Sequence, residues 1–427
     1  MIRYIDLFAG IGGMRIGFEN ALKELGISGK AVFSSEVKPY AIDAYKNYFT
    51  DVPFGDITKI HESSIPDFDF LLAGFPCQAF SSAGRRLGFE DARGTLFFDV
   101  ARILKAKRPI GFLLENVEGL VNHEKGNTLR RMIGILEGLG YTASWDVLDG
   151  KDFGLAQSRK RIYITGNLKG IDIRINDFIA KHTNLASIID YGVTPKSTLF
   201  TEKLLSHYSI DDVIGKKIKD KRGGANNIHS WSFALKGYVS DEQKKLLSLL
   251  LKQRRNKKWA DVYGIEWMDG MPLTLEMIAE FYKGNDLKSM LDDLVEKGYL
   301  VLEHPKKKEG SKRVYDKSLP KGYNIVTGKL SFEYSQILNP DDIAPTLVAT
   351  DVLRLGVPVN GGIRPLTVRE GLRLFGFPEQ YDLNFLSPNL TFDLLGNTVC
   401  IPVVSYVSKC ILEGMLKNEF DVIRAIA

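Results

Sequence analysis

The chain has 427 residues, 44% hydrophobic and 26% charged, with a formal net charge of +5; that is room for two or three domains with an ordinary globular core. So small an excess excludes a polycation, and any affinity for a polyanion must come from how charge is distributed. Three scattered cysteines (Cys77, Cys400, Cys410) and six histidines without ligand spacing exclude a disulfide framework and a zinc cluster, and no apolar run reads as a leader or a span of ~20 residues, so a reducing cytoplasm and no membrane partner are expected.

Up to about residue 165 short apolar runs alternate with amphipathic stretches, the rhythm of β-α-β units around a mostly parallel, doubly wound sheet. The pattern predicts strands over Tyr4–Phe8, Ala31–Ser35, Phe68–Gly74, Ile110–Glu115 and Arg161–Gly166, and helices over Tyr40–Tyr48 and Leu96–Lys105. The first strand runs into Asp6-Leu7-Phe8-Ala9-Gly10-Ile11-Gly12-Gly13, and glycines at a strand-to-helix turn let backbone approach a ligand closely. The spacing is not the dinucleotide G-x-G-x-x-G, so a pyrophosphate site is not the best reading. Glu36 closes the second strand, where a carboxylate can accept from ribose hydroxyls, and Asp56-Ile57 offers a polar contact and an apolar surface for a purine. Singly these are ordinary strand-end residues; in order at successive strand ends they point to a crevice for an adenosyl ligand.

Gly74-Phe75-Pro76-Cys77-Gln78-Ala79-Phe80-Ser81 leaves the next strand. A lone cysteine is more often a buried, inert residue, but this one follows a proline on a loop at a strand's carboxyl end. The segment Ser82–Gly88 behind it is small, polar and basic, as a lid over a nucleic acid would be. Glu115-Asn116-Val117 ends the following strand, and Gln157-Ser158-Arg159-Lys160-Arg161 leads into another, with arginines suited to a base edge, a phosphate or a thiolate.

Beyond residue 185 the rhythm breaks, and basic clusters stand at Lys216–Arg222, Lys252–Lys258 and Lys306–Arg313. One such run is usually a solvated face; three in one segment favour a polyanion-binding domain. Within it, helices over Asp241–Lys252, Leu273–Tyr282 and Asp286–Lys297, then strands Tyr299–Glu303 and Arg313–Asp316 around a basic turn Lys306–Lys312, predict a winged-helix-like unit at 241–316. Acidic Asp292, Asp293 and Glu296 on the third helix argue against its lying in a DNA groove, and the wing lysines are the better phosphate contacts. Gly223–Ser230 with Trp231 is a candidate groove-reading loop. The pattern returns to apolar near Phe392, with a helix expected over Val403–Leu416.

Taken in order, Asp6–Gly13, Gly74–Ser81, Glu115-Asn116-Val117, Gln157–Arg161 and Gly396-Asn397-Thr398-Val399 resemble the bacterial DNA (cytosine-5)-methyltransferases of restriction-modification systems over about 1–166 and 362–427. The resemblance implies an α/β methyltransferase fold, with 1–184 and 386–427 as the catalytic domain and 185–385 as an inserted target-recognition domain. It implies methyl transfer from S-adenosylmethionine, leaving S-adenosylhomocysteine, to carbon 5 of a cytosine flipped out of double-stranded DNA, without a metal, by a cytoplasmic monomer. Cys77 would be the nucleophile behind Pro76, Glu115 would engage the base, Arg161 its O2, and Arg159 would support the catalytic loop. Phe8, Gly10, Gly12, Glu36, Val37, Asp56, Ile57, Asn397 and Val399 would surround the cofactor. DNA contacts would fall to Gln78, Ser81, Arg85 and Arg93, and to Thr346 and Leu347, which resemble the Thr-Leu pair of the recognition region. Val37 departs from the family's frequent tryptophan, which weakens one contact with the adenine. An amino-group methyltransferase would need an Asp/Asn-Pro-Pro-aromatic loop where Gly-Phe-Pro-Cys stands; a transfer-RNA methyltransferase on the same core has little use for the long basic segment; a non-catalytic DNA-binding module is disfavoured by the intact chemical positions.

Overall fold

The computed structural model of the chain describes residues 1–76, 96–310, 312–327, 332–348 and 352–426, with side chains as far as Met415. Cys77, Gln78, Ser81, Arg85 and Arg93, and the expected lid Ser82–Gly88, lie outside the described residues. The chain forms two compact units, one of Met1–Asp190, Pro340–Val352 and Thr367–Ala427, the other of Tyr191–Asn339 and Leu353–Leu366. These bounds differ from the sequence-based division at 184 and 386: segments 340–352 and 367–385 pack with the first unit. The reason lies in their hydrogen bonds, since Leu185 N–H donates to the Asp342 carbonyl and Asp190 N–H to Glu370 Oε1.

The first unit is built in chain order from β1 (Ile2–Leu7), α1 (Gly13–Glu24), β2 (Gly29–Ser35), α2 (Pro39–Phe49), β3 (Phe70–Gly74), α3 (Leu96–Lys107), β4 (Gly111–Val117), α4 (Asn127–Gly138), β5 (Thr142–Asp149) and β6 (Lys160–Asn167). Among the described residues these strands form a sheet in the order β2-β1-β3-β4-β6-β5. The first four are parallel, and β6 runs antiparallel to both its neighbours. Side chains alternate between faces with period two. Tyr4, Phe70, Leu72, Leu113 and Tyr163 meet Met14, Phe18 and Leu22 of α1 and Val403, Val407 and Ile411 of the last helix, Ile401–Ile426. Ile5, Leu71, Ala73, Phe112 and Leu114 turn the other way, onto Val100 and Leu104 of α3 and Met132 and Leu136 of α4.

The stretch Pro388–Met415 is long and apolar enough by composition to cross a bilayer, contrary to the sequence reading. Its apolar residues belong to the core: Val403, Val404, Val407, Ile411 and Leu412 are buried. The last helix also extends ten residues beyond the expected end, from 416 to 426.

The second unit has two cores. One surrounds a five-stranded sheet in which Leu355–Val359 pairs with Gly362–Pro365 and Gln336–Ile337 joins it to Lys217–Ile218 and Asn227–Ile228. The other gathers Leu246, Leu250, Trp259, Ile278, Leu291 and Leu294 from helices Asp241–Gln253, Lys258–Tyr263, Leu275–Phe281 and Leu287–Glu296, with Trp231 from the turn Ser230–Phe233. The wing differs from expectation. Leu300–Glu303 pairs with Gly322–Ile325, while Lys306–Glu309 and Lys312–Tyr315, expected as a turn and half a strand, form a hairpin of their own. Gly310, at φ 62°, supplies the tight turn, and Lys306 Nζ lies 4.7 Å from the centre of the Tyr315 ring across the hairpin, a cation–π contact. The short helix Lys258–Tyr263 escaped the periodic reading because six residues show less than two turns.

Gly17 on α1 is required by the last helix: a Cβ there would stand 2.5 Å from Val404 Cγ1 and 3.2 Å from the Ile401 carbonyl. Gly17→Ala is therefore expected to lower stability by about 1–3 kcal/mol in a denaturant titration. Val404→Ala in the same chain should recover part of the loss; a double variant no better than the sum of the two single losses would disprove the contact.

Candidate active site

Every strand-end feature singled out in the sequence, so far as it is described, belongs to the first unit. At the end of β1 the chain turns through left-handed backbone at Phe8 (φ 56°), Gly10 (φ 53°) and Gly12 (φ 80°). Phe8 therefore lies outside the strand it was expected to close. A Cβ on Gly12 would sit 2.2 Å from the Phe49 ring, so both conformation and space demand glycine. The turn is fixed from β2: Gly10 N–H donates to Glu36 Oε2 at 2.8 Å, while Val37 and Lys38 N–H donate to Oε1 at 2.8 and 2.9 Å. A carboxylate offers about four acceptor positions; three are filled by backbone and one remains for a hydroxyl. Beside it Val37 and Phe54 expose apolar surface, Ile57 is buried, and Phe54 stacks on Phe33. Asp56 caps the short helix Ile57–Lys59, and its hydrogen bonds to the Thr58 side chain and N–H hold its carboxyl below the usual range. A glycine turn, a carboxylate with one acceptor position left and open apolar surface fit an adenosyl group.

The other half of the site stands where β3 and β4 end and the antiparallel β6 begins. Gly74 pairs with Glu115, and a side chain at 74 would come within 3.5 Å of Glu115 Oε2. Asn116 is buried and donates to the Phe75 carbonyl at 2.9 Å, which fixes the exit of β3 one residue before exposed Pro76. Arg161 Nε stands 3.2 Å from Glu115 Oε1. Burial nevertheless pushes the Glu115 carboxyl up, against the lowering influence of Arg161 and Arg159.

Arg159 is held differently. Its Nη1 donates to the Leu347 carbonyl at 3.1 Å, and its Nη2 to the carbonyls of Gly396 and Thr398 at 3.0 and 2.7 Å. Burial lowers this guanidinium to about 10, still charged at neutral pH. Gln157, also buried, accepts from Leu347 N–H at 3.1 Å and donates to the Leu374 carbonyl at 3.0 Å. Thr346 Oγ1 donates to the Ser158 carbonyl at 2.6 Å. The Thr-Leu pair is thus seated along Gln157-Ser158-Arg159, with Leu347 buried and Thr346 exposed.

This arrangement was compared with known proteins. A sequence profile described as C-5 cytosine-specific DNA methylase matches residues 2–413. The chain belongs to the C-5 cytosine-specific DNA methylases. It is 56% identical over 423 residues to Type II methyltransferase M.NlaIV of Neisseria lactamica (97% of this chain, 99% of the relative). It is 39% identical over 443 residues to Type II methyltransferase M.BanI of Aneurinibacillus aneurinilyticus (98% and 97%). Among solved structures, a chain named as a DNA modification methyltransferase encoded within a prophage (E. coli) is similar at a TM-score of 0.51 and 19% identity, covering 97% of this chain and 99% of that one; that likeness speaks to the fold alone.

In this cytosine methylase one residue near the site, Asp393, stood in none of the quoted motifs, while Val399 and Asp6 stood in motifs that did not show their surroundings. Asp393 accepts from Lys38 Nζ at 2.8 Å and the Tyr40 hydroxyl at 2.7 Å, and its backbone carbonyl accepts from Asn397 Nδ2 at 2.7 Å. It links the loop after Glu36 to the C-terminal segment. Val399 is buried, and a Cβ on Gly13 would meet it at 2.9 Å. Asp6 is wholly buried with neither carboxylate oxygen partnered, and burial raises it to about 8. Gln157 stood in a quoted motif, but its burial and its two backbone partners could not be read there. Cys400 is inert by position, since burial pushes its thiol up to about 12.

Replacing Arg159 by lysine removes the fork that reaches three carbonyls while keeping the charge. Arg159→Lys is expected to cost about 2–4 kcal/mol, because unpaired buried acceptors cost about 1–3 kcal/mol each. Amide exchange at Leu347 should quicken at the same time; protection as in the wild type would show that the clamp does not seat the Thr-Leu pair.

Proposed function

We propose that this DNA (cytosine-5)-methyltransferase uses Cys77, Glu115 and Arg161 to methylate a cytosine rotated out of the duplex within one target sequence. We further propose that it acts in the cytoplasm as the modification enzyme of a restriction-modification system, as the names of its Type II relatives suggest. The single observation that carries the residue assignment is the pairing of buried Glu115 with partly buried Arg161 at the end of β4, beside the strand exit that leads to Pro76 and Cys77.

Carbon 5 of cytosine is a poor nucleophile, and covalent catalysis answers this. The Cys77 thiolate adds to carbon 6, and Glu115 gives its proton toward N3 as electron density moves into the ring. Burial favours the protonated form of this carboxyl, the form that this step uses. Arg161, paired to Glu115 on one side, keeps donors for the base O2. S-adenosylmethionine, when bound, supplies an electrophilic methyl group to carbon 5. Loss of the carbon-5 proton and elimination of Cys77 then restore the aromatic ring. Gly10 and Gly12 give the cofactor a close backbone edge, Glu36 accepts from a ribose hydroxyl, and Phe8, Val37, Asp56 and Ile57 flank the adenine. Asn397 and Val399 close the site from the C-terminal segment. Arg159 acts as a positioning residue, with Thr346 and Leu347 seated by it toward DNA, where Gln78, Ser81, Arg85 and Arg93 also make contact. The second unit reads the target sequence. Extruding a base costs a few kcal/mol, which contacts made only by the correct duplex offset.

Cys77→Ser is expected to abolish methyl transfer with little change in DNA binding, and the wild type should form a stable adduct on DNA carrying 5-fluorocytosine, whose fluorine cannot leave as a proton does. Near-normal turnover by Cys77→Ser would end the mechanism.

Glu115→Gln is expected to lower turnover by about two or more orders of magnitude at unchanged cofactor affinity. The sign of the pH effect follows from the raised carboxyl: the acid form is the active one, so wild-type turnover should fall as pH rises through that group's titration. The Gln variant should lack this limb. The same limb in both proteins would assign it elsewhere.

A further inference from the structure

The three basic runs lie far apart in sequence, yet one loop, Gly264–Gly270, gathers cations from all of them. From the first run, Arg222 Nη2 and Lys221 Nζ stand 3.3 and 3.9 Å from Asp269 Oδ2. From the second, Arg255 Nε reaches Asp269 Oδ1 at 2.7 Å and Lys257 Nζ lies 5.8 Å from the centre of the Trp267 ring. From the third, Lys308 Nζ stands 3.8 Å from Glu266 Oε2, and Arg313 Nη2 donates to the Trp267 carbonyl at 3.2 Å. The Trp267 indole N–H in turn donates to the Arg255 carbonyl at 3.3 Å. Six cations therefore surround two carboxylates, and Lys217 and Lys219 extend the same charge; partial burial, then Lys217 and Arg222, hold Lys219 below the usual lysine range.

These pairs are open to exchange. Lys221, Arg222 and Lys308 are more than half exposed, and exposed ion pairs contribute about 0–1 kcal/mol each, so a phosphate can take the place of a carboxylate at little cost. By contrast the helix Leu287–Glu296 offers acids that are already used within the unit: Asp293 accepts from Gln243 and Lys297, and Asp292 from the Tyr323 hydroxyl. Positive charge is thus concentrated on the residues around the 264–270 loop, and not on the helix that a winged-helix analogy would place in the groove.

We propose that the loop Gly264–Gly270 and the three basic runs around it form a sequence-independent seat for the phosphate backbone of duplex DNA flanking the methylated site. The proposal rests on the reading of the chain as a DNA methyltransferase and adds a second region of contact, apart from the Thr346–Leu347 segment. Phosphate contacts made here release counterions, so the affinity they contribute falls with salt and is blind to base sequence.

The test uses the full chain and a labelled duplex of about 40 base pairs of arbitrary sequence, titrated over a range of salt. The triple variant Lys221→Ala, Lys257→Ala, Lys308→Ala takes one exposed cation from each run. Its plot of log Kd against log salt should be shallower by about 3, near one for each cation removed, with binding about tenfold or more weaker near 0.1 M salt. Asp269→Asn, which removes the competing carboxylate but keeps a hydrogen-bonding amide, should bind the same duplex more tightly and with a steeper slope. An unchanged slope in the triple variant, or weaker binding by Asp269→Asn, overturns the seat. Transfer of labelled methyl groups to genomic DNA at low salt is measured alongside. A wild-type chain that labels no DNA would refute the underlying reading, whatever the slopes show.

Discussion

The interaction on which the first unit most depends is the buried Arg159 guanidinium donating to the carbonyls of Leu347, Gly396 and Thr398. Burying a cation is unfavourable unless its donors are satisfied, and here backbone carbonyls, not a carboxylate, satisfy most of them. That choice has a structural consequence. A carboxylate would hold one side chain, whereas three carbonyls hold two chain segments, one seated along Gln157-Ser158 and the other leading into the last helix. Planarity matters as much as charge, since a fork can span two segments and a point charge cannot.

The same economy appears at the glycine turn. Glu36 receives three backbone N–H groups and so defines both the turn after β1 and the start of α2 before any ligand is considered. Asp393 repeats the device from the far end of the chain, drawing Lys38 and Tyr40 toward Asn397. Site residues assembled in this way are held by rigid strands and by hydrogen bonds among themselves, which is what preorganisation requires of a catalytic constellation.

Much of this was legible in the sequence, for physical reasons. Glycines that must adopt φ near +53° or +80°, a carboxylate at a strand end and a paired Glu and Arg on adjacent strands leave short-range signatures. What stayed hidden depended on partners distant in sequence. Asp393 reads as an ordinary helical acid until Lys38, 355 residues away, is beside it. Arg159 was expected to support the catalytic loop, which lies outside the described residues; its partners at Leu347, Gly396 and Thr398 left no trace in the motif. Strand β5 and helix α4 lay between the motifs and were passed over. The wing was misjudged because pairing partners are set by register: Leu300–Glu303 finds Gly322–Ile325, beyond the stretch in which a partner was sought.

The division of the chain shows why the Thr-Leu pair can be tied to chemistry while sequence reading varies. The chain leaves the first unit after Asp190, returns for Pro340–Val352, leaves again and comes back at Thr367. The brief return is what carries Thr346 and Leu347, and its docking bonds run to Ala156, Gln157, Ser158 and Arg159, all next to the strand that bears Arg161. The second unit keeps two hydrophobic cores of its own. An enzyme that must recognise one sequence and perform one unchanging reaction gains from this separation. The segment 340–348 is docked by hydrogen bonds to residues 156–159 and so stays with the sheet of the first unit, whatever changes in the stretches before and after it.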